Sequence, residues 1–231
     1  MGDSRLWDEN HQKREHTFRQ CTCVERKRIE RLFRSSHITD QFRSVGFRGF
    51  ITDSRPQCAK QARDTSLDYY NRFDEIRSTR ANSIVLYGPP GSGKTHLLMA
   101  IANGLMRKGV AVQYFPWVEG FNDLKDKLDD LQKRTEAMKH VEVLYIDDLY
   151  KGRQKPTDFM LEQLFGVVNY RYQNCLPMMV CSERTTQEIF AIDEAIGRRI
   201  HERSEGHRVL MGLTPEERAA GIELNYSLVE V

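Results

Sequence analysis

No stretch of the 231 residues holds the roughly 18 consecutive apolar residues that a membrane-crossing helix needs, so no membrane span is expected. The opening run Met1-Gly2-Asp3-Ser4-Arg5 leads into charged residues rather than an apolar core, which argues against a secretory signal. Gly2 with Arg5 and Leu6 makes no convincing myristoylation site either. Cysteine is sparse: Cys21, Cys23, Cys58, Cys175 and Cys181 are odd in number and scattered, so no disulfide framework is expected. Free thiols without an export signal predict a cytoplasmic protein. Charge of one sign is also missing. Lys and Arg total 35 against 33 for Asp and Glu, a net +2, so any nucleic-acid surface must be local rather than a field of the whole molecule. Internal repeats and low-complexity linkers are absent. The rest of the composition, 29% charged and 39% hydrophobic, is that of an ordinary soluble protein. Its length suits one α/β domain with a short appendage.

Against these absences stands one octet. Residues 88–95 read Gly88-Pro89-Pro90-Gly91-Ser92-Gly93-Lys94-Thr95 and match the G-x-x-x-x-G-K-[ST] phosphate loop at every fixed position. The apolar run Ser83–Tyr87 precedes it as a buried strand. The helical spacing of Thr95–Asn103 follows it, and His96 falls directly behind the loop. Strand, glycine loop and helix together form the context that confirms the motif. Glycines let backbone N–H groups turn inward around a β-phosphate at the positive end of the helix dipole. Lys94 can reach the β- and γ-phosphates, and the Thr95 hydroxyl can hold Mg²⁺. The expected ligands are therefore ATP and Mg²⁺.

A second element completes the chemistry. The strand Val141–Asp148 ends in two acids, Leu144-Tyr145-Ile146-Asp147-Asp148. Strand geometry brings Asp147 out at the carboxyl end of a parallel sheet, beside the phosphates. There it would hold Mg²⁺ through water, with Asp148 as the base or water-positioning group. Adjacent acids suit the AAA+ and related NTPases that hydrolyse ATP with water, and no Asn-Lys-x-Asp guanine-reading motif is present. The next strand, Leu176–Ser182, ends in Val180-Cys181-Ser182-Glu183. Ser182 is the expected sensor of the γ-phosphate, with Glu183 as the neighbouring alternative.

The remaining pattern alternates. Further strands are expected at Val110–Phe115 and Arg208–Met211. Helices are expected at 56–78, over 118–138 as one or a pair, at Thr157–Gln173 with Thr157 or Asp158 as cap, and at Ile189–His201. Alternating strands and helices mean a parallel sheet, here five-stranded, covered on both faces. Residues 1–43 are polar, basic in runs and helical, with one apolar stripe at Ile29, Leu32 and Phe33. They are expected to form a short segment that either docks on the main domain or waits for a partner, leaving 44–231 as the ATPase domain.

Taken together, these residues resemble helicase loaders of the DnaC/DnaI type. The resemblance is carried by Gly88–Leu97, Ile146-Asp147-Asp148-Leu149, Cys181-Ser182-Glu183-Arg184-Thr185 and Asp193–Ile200. The upstream Cys21–Leu32 and Ser35–Phe42 add to it. It implies an AAA+ ATPase that assembles into a homo-oligomer on ATP, binds single-stranded DNA and loads a hexameric replicative helicase. It implies an arginine finger at Arg203, with Arg199 as the alternative, and a pre-core aromatic segment near adenine matched by Phe47 and Phe50. Phe47 and Phe50 serve equally well as plain core. A lidless core is also implied, since only 20 residues follow the last strand. Family zinc sites end in cysteines resembling Cys21 and Cys23, which His11 and His16 could complete, although the spacing is not standard. Lys151, Arg153 and Lys155 after the acids are the candidate DNA contacts, to backbone and without sequence preference. Two other readings stay open: an IstB-type transposition-helper ATPase, and a monomeric phosphotransferase using the same loop.

Overall fold

The structure, a computed structural model, describes residues 22–53, 55–126, 128–152 and 155–225. Cys21, His11, His16 and Arg153 lie outside these residues, as does the side chain of Cys23, so the zinc site and part of the candidate DNA loop are not described. Among the described residues no helix is long and apolar enough to cross a membrane.

Five strands form one all-parallel sheet: β1 (Ile84–Tyr87), β2 (Val112–Pro116), β3 (Val143–Asp147), β4 (Met178–Ser182) and β5 (Arg208–Leu210). Their order across the sheet is β2-β3-β4-β1-β5. β1 pairs with β4 through Ile84↔Met179 to Tyr87↔Ser182, and with β5 through Val85↔Arg208 to Tyr87↔Leu210. Successive side chains of the buried strands serve opposite faces. Ile84, Leu86, Val143, Tyr145, Met179 and Cys181 join one apolar cluster, while Val85, Tyr87, Leu144, Ile146, Met178 and Val180 join the other. Strands apolar on both sides are the mark of a sheet covered twice.

The first face is covered by α3 (Gln57–Ile76) and α4 (Lys94–Arg107) together with the segment before them: α1 (Thr22–Ser35), α2 (Asp40–Arg43) and a single 3-10 turn at Phe47–Gly49. The second is covered by α5 (Trp117–Asp126), α6 (Leu128–His140), α7 (Asp158–Gln173), α8 (Thr186–Ile192) and α9 (Glu194–Arg203). A short α10 (Pro215–Ala219) follows β5. The chain leaves β1 toward β2 on one side, while β5 lies on the other. The carboxyl end of β1 is therefore the switch point at which open α/β sheets bind ligands.

The expected helix over 118–138 is a pair, α5 and α6. The expected helix Ile189–His201 breaks at Asp193, whose backbone is extended (φ −151°) and whose carboxylate caps α9 by accepting from Ile196 N–H at 2.8 Å. Thr157 caps α7, accepting from Met160 N–H. In α1, Leu32 and Phe33 pack against the first cluster, and Arg28 donates to Gly109 O at 3.1 Å. Beyond it, Tyr114 N–H donates to Ser36 O at 2.8 Å, which partly covers the β2 edge; an uncovered edge invites pairing with other chains.

His207, before β5, is buried. It sits edge-on to Tyr69 at 5.3 Å, with Nε2 3.4 Å from Asp68 and Nδ1 without a partner. Burial holds its pKa below 6.5 despite the Asp68 carboxylate and against an ordinary exposed imidazole. Once the pH falls below 6.5, the unfolded chain binds a proton that the folded chain refuses, so stability falls with pH across that window. Urea midpoints should drop between about pH 7.5 and about pH 5.5, and the drop should shrink in His207→Gln.

Candidate functional site

The phosphate loop bends where its glycines allow it. Gly91 and Gly93 have φ of 74° and 96°, the left-handed region that side chains rarely adopt. A β-carbon on Gly93 would stand 2.5 Å from the Phe50 ring. Phe50 in turn packs edge-on to His96 at 5.6 Å, and His96 Nε2 lies 3.1 Å from Gly46 O. The structure thus brings the pre-core aromatic Phe50, the loop and His96 together. Phe47 lies farther off, tilted against Tyr70 at 5.8 Å. Asn103 pins the pre-core segment on α4 by donating to Phe42 O and Val45 O at 2.7 and 2.8 Å.

Lys94 is buried. Its ammonium sits inside the loop, donating to Gly88 O and Pro89 O, both at 2.8 Å, and reaching Ser92 Oγ at 3.4 Å. Desolvation lowers its pKa, against the pull of the Asp148 and Glu183 carboxylates.

Asp147 ends β3 in a cage of four donors. Thr95 Oγ1 (3.0 Å), the Tyr145 hydroxyl (2.9 Å) and the Cys181 thiol (2.7 Å) donate to Oδ1, and the Tyr114 hydroxyl (2.9 Å) to Oδ2. Burial first, then the adjacent carboxylate, raises the pKa of Tyr114, Tyr145 and Cys181. All three therefore stay protonated and donating at neutral pH. Sequence reading missed these three groups, yet a signal existed. Tyr145 is two residues before Asp147, hence on the same face, and parallel register sets Tyr114 opposite Tyr145. Asp147, Asp148 and Cys181 offer ligand atoms within 4.8 Å of one another.

Asp148 adopts φ 57°. Its carboxylate accepts from Lys151 at 2.8 Å, and Lys151 also pairs with Glu183 at 3.1 Å. Those two hydrogen bonds raise the Lys151 pKa, partly opposed by burial. Lys151, expected as a DNA contact, is thus engaged in the site itself, while Lys155 is exposed.

Two expected site residues sit inside the fold. Ser182 is fully buried and donates to Leu149 O at 2.7 Å while accepting from Arg184 N–H at 3.1 Å. Its hydroxyl holds the loop after β3. Glu183, just past β4, is tied through Lys151 to Asp148. Arg203 is likewise fully buried. Its guanidinium donates to Arg80 O (2.6 Å) and Tyr172 O (3.0 Å), with longer contacts to Thr79 O and Arg171 O. The side chain points into the fold rather than out of it. Arg199 is only partly buried, donating to Asn169 Oδ1 and Ala195 O and lying over the exposed Phe165 ring at 5.1 Å.

The residues fit an ATP–Mg²⁺ pair. Glycines at positive φ form the loop, an ammonium sits within it, and a hydroxyl and a carboxylate stand 3.0 Å apart at its exit. Fold and site together define a P-loop nucleotide-binding protein with an AAA+ core. The family described as IstB-like ATP binding protein matches residues 50–203, and the chain belongs to it. Uncharacterized protein YqaM of Bacillus subtilis (strain 168) is 46% identical over 214 residues, 91% of this chain and 66% of YqaM. Phage-like element PBSX protein XkdC of the same strain is 43% identical over 212 residues, 90% of this chain and 77% of XkdC. The chain thus spans about two thirds to three quarters of these relatives. Among solved structures, the DnaC helicase loader superimposes with TM-score 0.59 at 20% identity, covering 76% of this chain and 100% of that one. The replication initiator DnaA bound to AMPPCP and single-stranded DNA superimposes with TM-score 0.61 at 19% identity, covering 83% and 59%. These likenesses show the shared fold.

Proposed function

We propose that the chain is an ATPase of the helicase-loader kind, which assembles on single-stranded DNA and acts on a hexameric replicative helicase. The observation that carries the enzymatic part is the approach of Thr95 to Asp147 at the exit of the phosphate loop, with Asp148 next in the chain. Lys94 leaves its carbonyl partners for the β- and γ-phosphate oxygens. Thr95 and Asp147 would hold Mg²⁺, which would supply neutralisation of the charge on those oxygens. Tyr114, Tyr145 and Cys181 keep the Asp147 carboxylate fixed, so little reorganisation is needed when the metal arrives. Asp148 orients the attacking water and accepts its proton, with Glu183 and Lys151 setting its position. Arg199 becomes the finger offered to a neighbouring subunit. Residues 1–43 are the helicase-binding segment and 44–231 the ATPase domain.

Support for the loader role comes from the fold shared with the DnaC helicase loader and with DnaA caught on single-stranded DNA. The IstB-like family match favours a second reading, a helper ATPase that coats duplex DNA for a transposase. One experiment separates the two. Phosphate release is measured alone, with single-stranded DNA and with duplex DNA, alongside co-purification with a ring helicase. Stimulation of several-fold by single strands, with helicase bound, supports the loader. Stimulation by duplex alone, without helicase, supports the transposition helper. A rate indifferent to both, from a monomer, overturns both.

A further inference from the structure

The segment after β5 leaves the phosphate loop at one glycine and returns to it at another. Met211 N–H donates to Tyr87 O at 2.7 Å, and Met211 O lies 2.5 Å from the place a β-carbon on Gly88 would occupy. Leu213 then packs on the first apolar cluster. α10 begins with a capping box in which Thr214 accepts from Glu217 N–H and Glu217 accepts from Thr214 N–H at 2.8 Å. The other oxygen of Glu217 accepts from Gln57 N–H at 3.0 Å. That bond ties α10 to the first turn of α3, just beyond the segment that carries Phe50. Gly221 (φ 70°) and the Ile222 N–H bond to Glu217 O turn the chain back. Leu224 is 7% exposed, within the cluster that contains Phe50, Cys58 and Leu97. Asn225 covers Gly91, its amide oxygen 2.0 Å from that glycine's β-carbon position.

The sheet needs none of this. No residue of α10 is buried, so the excursion is held by the carboxylate of Glu217 near its start and by a buried leucine near its end. Both ends rest on glycines of one loop. We infer that Leu213–Asn225 is a nucleotide-contacting strap, with Leu224 adding apolar wall beside Phe50 and Asn225 acting as a positioning residue at the loop rim. The inference rests on a nucleoside triphosphate binding at that loop, and it gives this chain a closing element of its own on the site. An amide carries both a donor and an acceptor, and at the loop rim it can exchange a present contact for one with the ligand. With little apolar burial along α10, local opening of the strap costs less than opening the core, and a ligand that contacts only the closed form suppresses that opening.

The test uses the full chain with a fluorescent ATP analogue and Mg²⁺, and trypsin cleavage at the exposed Arg218 followed by mass. Asn225→Ala should weaken analogue binding about tenfold, the loss of a hydrogen-bonding contact, while its melting temperature without nucleotide stays that of the wild type. Leu224→Ala should weaken binding too, and ATP should slow cleavage at Arg218 several-fold in the wild type. Wild-type affinity in Asn225→Ala with cleavage indifferent to ATP overturns the strap. Tighter binding in that variant also overturns it, because the segment would then only obstruct. Lys94→Ala runs beside them. If it alone loses binding, the nucleotide site stands and the strap falls; if the wild type binds no analogue, the nucleotide reading falls with it.

Discussion

Lys94→Ala should lose ATP affinity by about 100-fold, or about 2.7 kcal/mol, while leaving the fold almost as stable as before. Asp147→Asn should do the reverse, sparing binding and stopping turnover. The Lys94 ammonium is buried in the loop and held by two carbonyls and a hydroxyl, and desolvation already works against its charge. Removing it relieves that penalty and orphans Gly88 O, while Pro89 O keeps the Ser92 hydroxyl at 2.9 Å. The two effects oppose, and the net change in stability should stay within about 1 kcal/mol. In Asp147→Asn the retained amide oxygen can still accept from Thr95, Tyr145 and Cys181. The new NH₂ falls opposite the Tyr114 hydroxyl, which can rotate to accept. The cage survives, but the carboxylate charge that holds Mg²⁺ is gone, so kcat should fall at least about 100-fold. Analogue binding, phosphate release and urea unfolding on both variants check this. Equal turnover in Asp147→Asn and wild type would remove the metal site from Asp147.

Much of this arrangement was legible because local chemistry and global fold agree at the loop. Gly91 and Gly93 announce positive φ, and the apolar runs before Gly88 and Asp147 announce strands buried on both faces. Order across the sheet was not legible, because periodicity is a property of one element and pairing is not. The surroundings of Ser182 and Arg203 were not legible for a related reason. A residue's place in a motif fixes its backbone position, but whether its side chain turns toward ligand or core depends on neighbours distant in sequence. For Ser182 that neighbour is Leu149, and for Arg203 it is Arg80 and Tyr172. Arg171 escaped notice entirely. It is fully buried and donates to five backbone carbonyls, of Met138, Lys139, Val141, Glu142 and Pro177, and burial pushes its pKa down to about 9. In sequence it is one more arginine at a helix end, where a solvated side chain is the usual outcome. α10, by contrast, carried a readable start in Thr214-Pro215-Glu216-Glu217.

Arg203→Ala should destabilise the fold by about 2–4 kcal/mol, from lost hydrogen bonds and a cavity, rather than act as a finger mutant. The guanidinium fastens the carboxyl end of α7, through Arg171 O and Tyr172 O, to the turn before β1, through Thr79 O and Arg80 O. Its own carbonyl accepts from Ser83 N–H at 2.8 Å. Truncation takes a donor from Thr79 O and Arg80 O, while Arg171 O keeps the Leu176 N–H at 2.9 Å, and it leaves a cavity under the Tyr172 ring, which now lies 5.5 Å from the guanidinium carbon. Arg203→Lys should not rescue, because a single ammonium cannot span two pairs of acceptors as a planar fork does. Arg199→Ala is the opposite case. It loses contacts to Asn169 and Ala195 O and partly exposed stacks on Phe165 and Tyr172, worth about 1–2 kcal/mol together. As the finger, its loss should cut turnover by about 1000-fold. Mixing it with Lys94→Ala should restore part of the rate, since one variant then supplies the intact phosphate site and the other the arginine. Thermal unfolding and mixed-variant phosphate release decide between the arginines. A stable Arg203→Ala that complements Lys94→Ala would return the finger to Arg203. An Arg199→Ala as active as wild type would leave the shared site without its arginine in α9.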